Sequence, residues 1–433
     1  MTALTETAAP ASQAPARAKT AWLALSALGI AIFNAFAMRA VFAPVQEMAK
    51  ADLGISDFQI SLVQGLAASI PIALLSVPLG AMTDRGNRMR ILLVLGVTWT
   101  VGTLATAFVT DFYMLFVARM LASIGAMCAV PVAISIAADL GPPENRGRAL
   151  LVLSLGNMAG VAAAFAFGGA ALGALNAAPL FEGLTAWRGV HVLFAIASLV
   201  LLFPLLLVRE PARQEVGASA NLPLRDALAA IWRMRPLLAP LFLGQVSVVM
   251  ADTAAGIWAA PVLSRNYGLA PEEFAGWMGL VILASGLIGS ILGGLLADAG
   301  HKSRIKGGIL IGAVIAAFLS IPGAFFPLMP DATGFAWVLA LFLACGAITG
   351  LVTATSVAVL VPNELRGVCL ATFMVVASII GLGIAPTLVT LISDAFGGEG
   401  AIRYGLAATG AATSIAAAIG FTAAMINAAR KQK

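Results

Sequence analysis

The 433-residue chain is 61% hydrophobic and only 10% charged, with a mean hydropathy of +0.98. Soluble domains carry roughly 25% charged residues, so a soluble globule of this size is excluded. The 44 glycines among mostly aliphatic residues also exclude a β-barrel, whose strands alternate polar and apolar positions. What remains is an all-α polytopic membrane protein, because in lipid every backbone polar group must close its bonds within a helix. The net charge of +5 is assigned to short loops that orient the chain, not to nucleic-acid binding.

Residues 1–20 are rich in Ala, Pro and Thr and carry Arg17 and Lys19, which predicts a disordered cytoplasmic tail. The Ala-Pro-Ala at 14–16 precedes the first apolar run, so that run reads as an uncleaved helix and not a signal peptide. Twelve apolar runs follow: 21–46, 57–82, 90–110, 112–138, 149–175, 189–208, 237–262, 273–297, 307–328, 334–360, 368–393 and 403–427. Each meets the requirement of about 20 residues for a spanning helix. The first six make an N-terminal half over 21–208, and 209–236 is a cytoplasmic linker. The last six make a C-terminal half over 237–427, leaving a cytoplasmic tail at 428–433. Within the linker, 224–233 patterns as a short amphipathic helix along the membrane surface. Gly156-x3-Gly160, Gly169-x3-Gly173 and Gly289-x3-Gly293 read as close-packing seams between helices.

An even number of spans puts both ends on one side, and the cations choose which. Nineteen Lys and Arg fall on the side of the ends, against Lys50, Arg188, Arg265 and Arg403 on the other. That bias predicts cytoplasmic termini in a bacterial-type inner (plasma) membrane. Cys128, Cys345 and Cys369 lie in or at apolar runs without a CxxC pair, and His191 and His301 lie at span ends. No metal site or cofactor is expected.

Two motif pairs recur at about half the chain length. Gly80-x3-Asp84-x-Gly86 returns as Gly294-x3-Asp298-x-Gly300, 214 residues later. Pro142-x3-Arg146-Gly147 returns as Pro362-x3-Arg366-Gly367, 220 residues later. A chain made of two copies of one multi-span unit suits a rocking transporter.

On these residues the chain resembles the major facilitator superfamily from about 21 to 427. Gly80-x3-Asp84-Arg85-x2-Arg88 is similar to that superfamily's loop between spans two and three, and Ala118-Arg119-x5-Gly125 to its span-four arginine motif. Asp84-Arg85-Gly-Asn-Arg88, Trp187-Arg188 and Arg209-Glu210-Pro211 look most like the spinster-like transporters. The resemblance implies twelve helices in two pseudo-symmetric six-helix halves. The chain departs from the spinster-like pattern twice. Met38 precedes Arg39 where an acid is usual, and Gly125-Ala126-Met127 replaces Gly-Glu-Ala. The family's proton-coupling acids therefore do not carry over, and the N-terminal side of the cavity is more positive.

The loop motif has a physical logic. Asp84 with Arg85 and Arg88, joined by Arg146, Arg366 and Asp298, reads as a charged latch at the helix ends, with Gly80 allowing close approach. Inside the spans only Arg39, Arg119 and Asp252 are placed, and a central charge costs about 2.5–3.5 kcal/mol even on permissive scales. Such charges should face a wet cavity or a partner. Arg39 and Asp252 are 213 residues apart, near the repeat offset, and so should occupy related positions beside the substrate. Arg39 binds an anion or couples transport, or else it snorkels or pairs with Asp252. Arg119 either bonds backbone or joins the cavity. Asp252 loads protons, pairs with Arg39, or binds a cation directly. Asn34, Gln64, Gln245, Trp258 and Asn157 complete a candidate pocket, each with an alternative as an interhelical bond or interfacial aromatic.

These readings predict a secondary active transporter for a small organic anion or lipid-like anionic amphiphile, using alternating access with protons as the candidate coupling ion. The alternatives are a proton-driven multidrug efflux pump and a transporter-like sensor. An enzyme is not expected, since no HExxH, Gly-x-Ser-x-Gly or Gly-x4-Gly-Lys-Ser/Thr occurs. One copy suffices for a pathway, so a functional monomer is expected.

Overall fold

The computed structural model describes residues 13–140, 146–213 and 224–431. Among them there is no strand, and twelve segments are long and apolar enough to cross a bilayer. The N-terminal half contains α1 (Gln13–Ala40), short α2 (Gln46–Leu53), and α3 (Asp57–Gln64) running into α4 (Leu66–Arg85). It continues through α5 (Arg88–Thr106), α6 (Phe112–Asp139), α7 (Arg146–Ala177) and α8 (Ala186–Leu206). The linker helix α9 (Leu224–Arg233) buries Ala227 and Ile231 and exposes Trp232, as an amphipathic surface helix does. The C-terminal half contains α10 (Arg235–Tyr267), α11 (Pro271–Lys302), α12 (Ile311–Gly323) and α13 (Ala332–Leu360). Then come α14 (Asn363–Val376) and α15 (Ala385–Ala395), joined by a π-helical segment Ala377–Ile384, and finally α16 (Ile402–Lys431).

The helix α1 begins at Gln13, inside the stretch 1–20, while residues 1–12 lie outside the described residues. Polar caps mark where helices leave the apolar layer. Asn87, Asp111 and Asp331 each accept a backbone N–H at the first turn of α5, α6 and α13. Ser56 and Gln59 form a capping box that starts α3. We refer to the face bearing α9 as the linker face and to the opposite one as the far face.

Small residues set how closely the helices approach. Gly156 and Gly160 seat α7 on the backbone of Gly29 and Phe33, and Gly289 and Gly293 seat α11 on Ala344 and Ile348. Gly169 and Gly173 meet Pro271, Ala275 and Glu272 of α11 and so join the two halves. All are small-x3-small seams, which hold apolar helices together where no hydrophobic effect operates between them. Another tight seam gives a direct test. A Cβ at Gly102 would lie 2.8 Å from the Ala118 carbonyl of α6, whereas nothing lies within 4 Å of one at Gly80. Gly102→Val should lose most of its monodisperse protein on size-exclusion in detergent, and Gly80→Val should not.

One irregular region crosses the boundary between halves. Pro386 has no N–H, so the carbonyl of Leu382, four residues earlier, is released from α-helical bonding. The chain there widens into the π-helical segment, and Gly65, at the break between α3 and α4, fits against the carbonyls of Leu382 and Gly383. Irregular backbone at membrane depth is tolerated where it is buried in protein or lines a cavity.

Candidate functional site

That irregular segment borders a cavity of about 260 Å³ between the halves. From the N-terminal half Arg39, Ala43, Gln64 and Phe165 line it, and from the C-terminal half Asp252, Ile257, Met278 and Leu382 do. Most of the wall is apolar, and two charged side chains of opposite sign enter it from opposite halves. The helix α1 delivers Arg39 one residue before its end, and the middle of α10 delivers Asp252. Among the described residues neither side chain has a hydrogen bond or ion pair, and no bond joins the two. Gln64 donates to Gln46 Oε1 at 2.7 Å, and Gln46 donates on to the Ile257 carbonyl at 2.6 Å. That chain of amides ties the two walls of the cavity together.

The other sequence-predicted pocket residues turn toward protein partners. Arg119 is buried, donates to the carbonyls of Met38 and Arg39, and lies 5.2 Å over the Phe42 ring. Its bonds thus hold the end of α1 that carries Arg39. Asn34 donates to the Ser198 carbonyl of α8 at 3.1 Å. Gln245 accepts from Thr353 of α13 at 3.0 Å, and Trp258 donates to the Pro386 carbonyl at 3.1 Å. None of these four lines the cavity around Arg39 and Asp252. Asn157 is half-buried on α7.

At the linker face, Arg88 is buried and gathers Asp139 at 2.5 Å, Glu210 at 3.0 Å and the Pro211 carbonyl at 3.1 Å. Arg213 donates to the carbonyls of Thr83 and Gly86. These contacts stay within the N-terminal half and its exit into the linker. Gly80, Arg85 and Asp298 are exposed, and Arg366 donates to the Val361 carbonyl at 3.0 Å. The side chains of Asp84 and Arg146 lie outside the described residues.

The far face holds a charge network that sequence reasoning missed. Arg265 of α10 grips Glu47 of α2 with two bonds of 2.7 Å and Asp57 of α3 with bonds of 2.6 and 2.7 Å. Lys50 adds Asp57 at 2.7 Å and also pairs with Glu399, whose other oxygen accepts the Asp57 N–H at 2.8 Å. Two residues of the C-terminal half are thereby clamped to three of the N-terminal half at the far face. The available signal was the mixed-sign run Glu47, Lys50, Asp52, Asp57 in one short connection, where a purely topological loop carries few charges.

The chain is similar to known proteins in both sequence and fold. It is 25% identical over 284 residues to an MFS-type efflux pump of Mycolicibacterium smegmatis, covering 65% of this chain and 63% of the pump, under two thirds of its length. It is 25% identical over 336 residues to the probable sulfoacetate transporter SauU of Cupriavidus necator, covering 72% and 73%. Its fold matches the crystal structure of a bacterial homologue of the human lysosomal transporter Spinster, in an inward-facing and unoccupied conformation. That match has a TM-score of 0.78 at 24% identity, over 96% of this chain and 97% of that one. The sequence model of the Major Facilitator Superfamily matches residues 28–386. Twelve helices long and apolar enough to span, paired motifs in two halves and this match over most of the chain establish that it is a multi-pass membrane protein belonging to the Major Facilitator Superfamily.

Proposed function

We propose that this transporter moves a small organic anion by alternating access, with Arg39 taking the anionic group and Asp252 carrying the coupling charge. The observation that carries this reading is the pair of unpartnered opposite charges in one mostly apolar cavity. A guanidinium held without a protein partner presents a planar fork suited to a carboxylate or sulfonate. While Asp252 is ionised the two charges cancel, and an anion gains little by entering. Neutralising Asp252 with a proton leaves Arg39 as the net charge, so cation and anion favour each other's binding. The likeness to a probable sulfoacetate transporter agrees with this chemistry.

The cation bias supports a linker face turned to the cytoplasm of a bacterial-type inner membrane, with both ends inside, and a cavity lined by both halves of one chain supports the monomer as working unit. In that orientation the present state is closed outside. Asp84, Arg85 and Arg88 with Arg146, Arg366, Asp298 and Gly80 are then the opposing latch, made when the far face opens. Gln64 positions the cavity wall through Gln46, while Arg119, Asn34, Gln245 and Trp258 hold its helices in place. The deciding experiment is uptake and counterflow of an organic-anion panel in proteoliposomes under an imposed proton gradient. Wild type should accumulate an anion along the gradient, and Asp252→Asn should keep counterflow but lose accumulation. Accumulation that ignores the gradient in wild type removes the proton from the mechanism. The apolar wall and the likeness to an efflux pump support a second reading, export of hydrophobic drugs. Tighter binding of a cationic than of an anionic amphiphile would favour it.

A further inference from the structure

Asp252 also faces a second, smaller cavity, enclosed by α10, α12, α13 and α16 within the C-terminal half. We propose that this cavity is a sodium site, with the Asp252 carboxylate and the hydroxyl oxygens of Ser320, Thr349 and Ser414 as its oxygen donors. Its use in coupling rests on the transport reading above, but the site itself does not.

The geometry begins with Gly346 of α13. A Cβ built there would lie 2.6 Å from Asp252 Oδ1 and collide with Oδ2 as well, so the carboxylate sits directly on that helix and reaches the small cavity. The cavity offers about 10 Å³ for the centre of a water-sized guest, which is room for one. The three hydroxyls around it have already spent their protons. Ser320 donates to the Ala317 carbonyl at 2.8 Å, Thr349 to the Gly346 carbonyl at 2.8 Å, and Ser414 to the Ser320 carbonyl at 3.4 Å. A hydroxyl so engaged turns its lone pairs to any other neighbour. The carboxylate thus shares its cavity with further acceptors, and no donor among the described residues reaches it.

A carboxylate and three hydroxyl side chains lining one small cavity, with no hydrogen bond to the carboxylate among the described residues, call for a cation. A water would give two hydrogen bonds but bring no positive charge to the side of the carboxylate that faces Val248, Ala316 and Phe342, away from Arg39. Cys345 also lines the cavity, and the proposed donors are the oxygens, which select hard cations over transition metals. No group of three or more His, Cys, Asp and Glu able to hold a metal occurs among the described residues, and one carboxylate balances one positive charge. Sodium is smaller than a water molecule and fits this space, and a carboxylate, with its concentrated charge, favours the smaller sodium over potassium. Bound there in place of the proton, sodium neutralises Asp252 from behind and leaves Arg39 to attract the anion in the larger cavity. Sodium and organic anion must then raise each other's affinity by the same factor.

The test uses the purified full chain in detergent, with sodium chloride exchanged for choline or potassium chloride at constant ionic strength. Equilibrium binding of radioactive sodium and the thermal unfolding midpoint are the readouts. Wild type should bind one sodium saturably, with a midpoint rise that choline and potassium do not give. Asp252→Asn should abolish both signals, and Gly346→Ala, which displaces the carboxylate, should do the same. Ser414→Ala should weaken sodium about tenfold and keep the choline midpoint, which separates ligand loss from misfolding. Sodium binding that is absent in wild type, or that survives in Asp252→Asn, overturns the site. Arg39-dependent anion counterflow is measured on the same protein reconstituted in proteoliposomes, in media with and without sodium. Counterflow that persists without any sodium binding refutes the sodium site and spares the transport reading. Sodium binding without Arg39-dependent counterflow refutes the transport reading and spares the site.

Discussion

Arg39→Ala should reduce counterflow of the transported anion by about a hundredfold or more while leaving folded yield unchanged. The size follows from the hydrogen bonds that the anion would no longer receive. Hydrogen bonds to charged groups contribute about 1.5–3 kcal/mol each, and a bidentate guanidinium makes two of them. The anion would also meet a mostly apolar wall in which only the acid Asp252 remains charged. The fold should survive because the Arg39 side chain bonds to nothing among the described residues, and its backbone carbonyl still accepts from Arg119. Arg39→Lys should recover part of the rate, since a point charge replaces the fork. Arg119→Ala is the contrasting control. It removes the donor to the Met38 and Arg39 carbonyls and the cation over Phe42, and should lower the thermal midpoint as well as transport. Wild-type KM and rate in Arg39→Ala would end the anion reading.

Arg265→Ala should open the far face. Arg265 makes two bidentate pairs at once, and its loss leaves Glu47 and Asp57 side by side with Lys50 as the nearest compensating charge. Removing one partner of a buried pair costs about 3–5 kcal/mol. The Asp57 side chain is 4% exposed but Arg265 and Glu47 are 17% and 25% exposed, so solvent screening brings the cost down to about 2 kcal/mol. That moves a two-state equilibrium roughly thirtyfold toward the open far face. Ala43, buried and lining the larger cavity beneath the network, is a suitable reporter position. In Ala43→Cys a membrane-impermeant thiol reagent added from the far side should label slowly, and much faster once Arg265→Ala is added. The native Cys128, Cys345 and Cys369 are buried, so background labelling is low. Arg265→Lys should fall between the two, because it keeps the charge and loses both forks. Equal labelling rates would show that the network does not hold the far face shut.

Much of the architecture was readable from the chain alone. Bilayer thickness sets a minimum apolar length, and the observed helices coincide with the hydropathy runs to within a few residues at most ends. The amphipathic stretch 224–233 is the helix α9, and the Gly-x3-Gly pairs are close-packing seams. Arg39 and Asp252 could be singled out because charge is so costly inside a span that its mere presence demands an environment. Their arrival at one cavity follows from their matching places in the two halves.

What the sequence left open was the direction each side chain faces. A helix surrounded by other apolar helices and lipid needs no polar stripe, so Arg119, Asn34, Gln245 and Trp258 look equally suited to a pocket or to a neighbouring helix. Tertiary packing turned them toward backbone carbonyls and a threonine hydroxyl. The far-face network was hidden for a related reason. Glu47 and Asp57 lie in one connection and Arg265 and Glu399 in two others, where a charge reads as a topology signal until the fold sets it 3 Å or less from its partner. Composition and spacing determined the membrane, the twelve spans, the two halves and the two cavity charges, because those depend on the cost of transferring residues into lipid. Which polar groups meet was decided only by tertiary structure, because pairing depends on distance and direction between helices far apart in the chain.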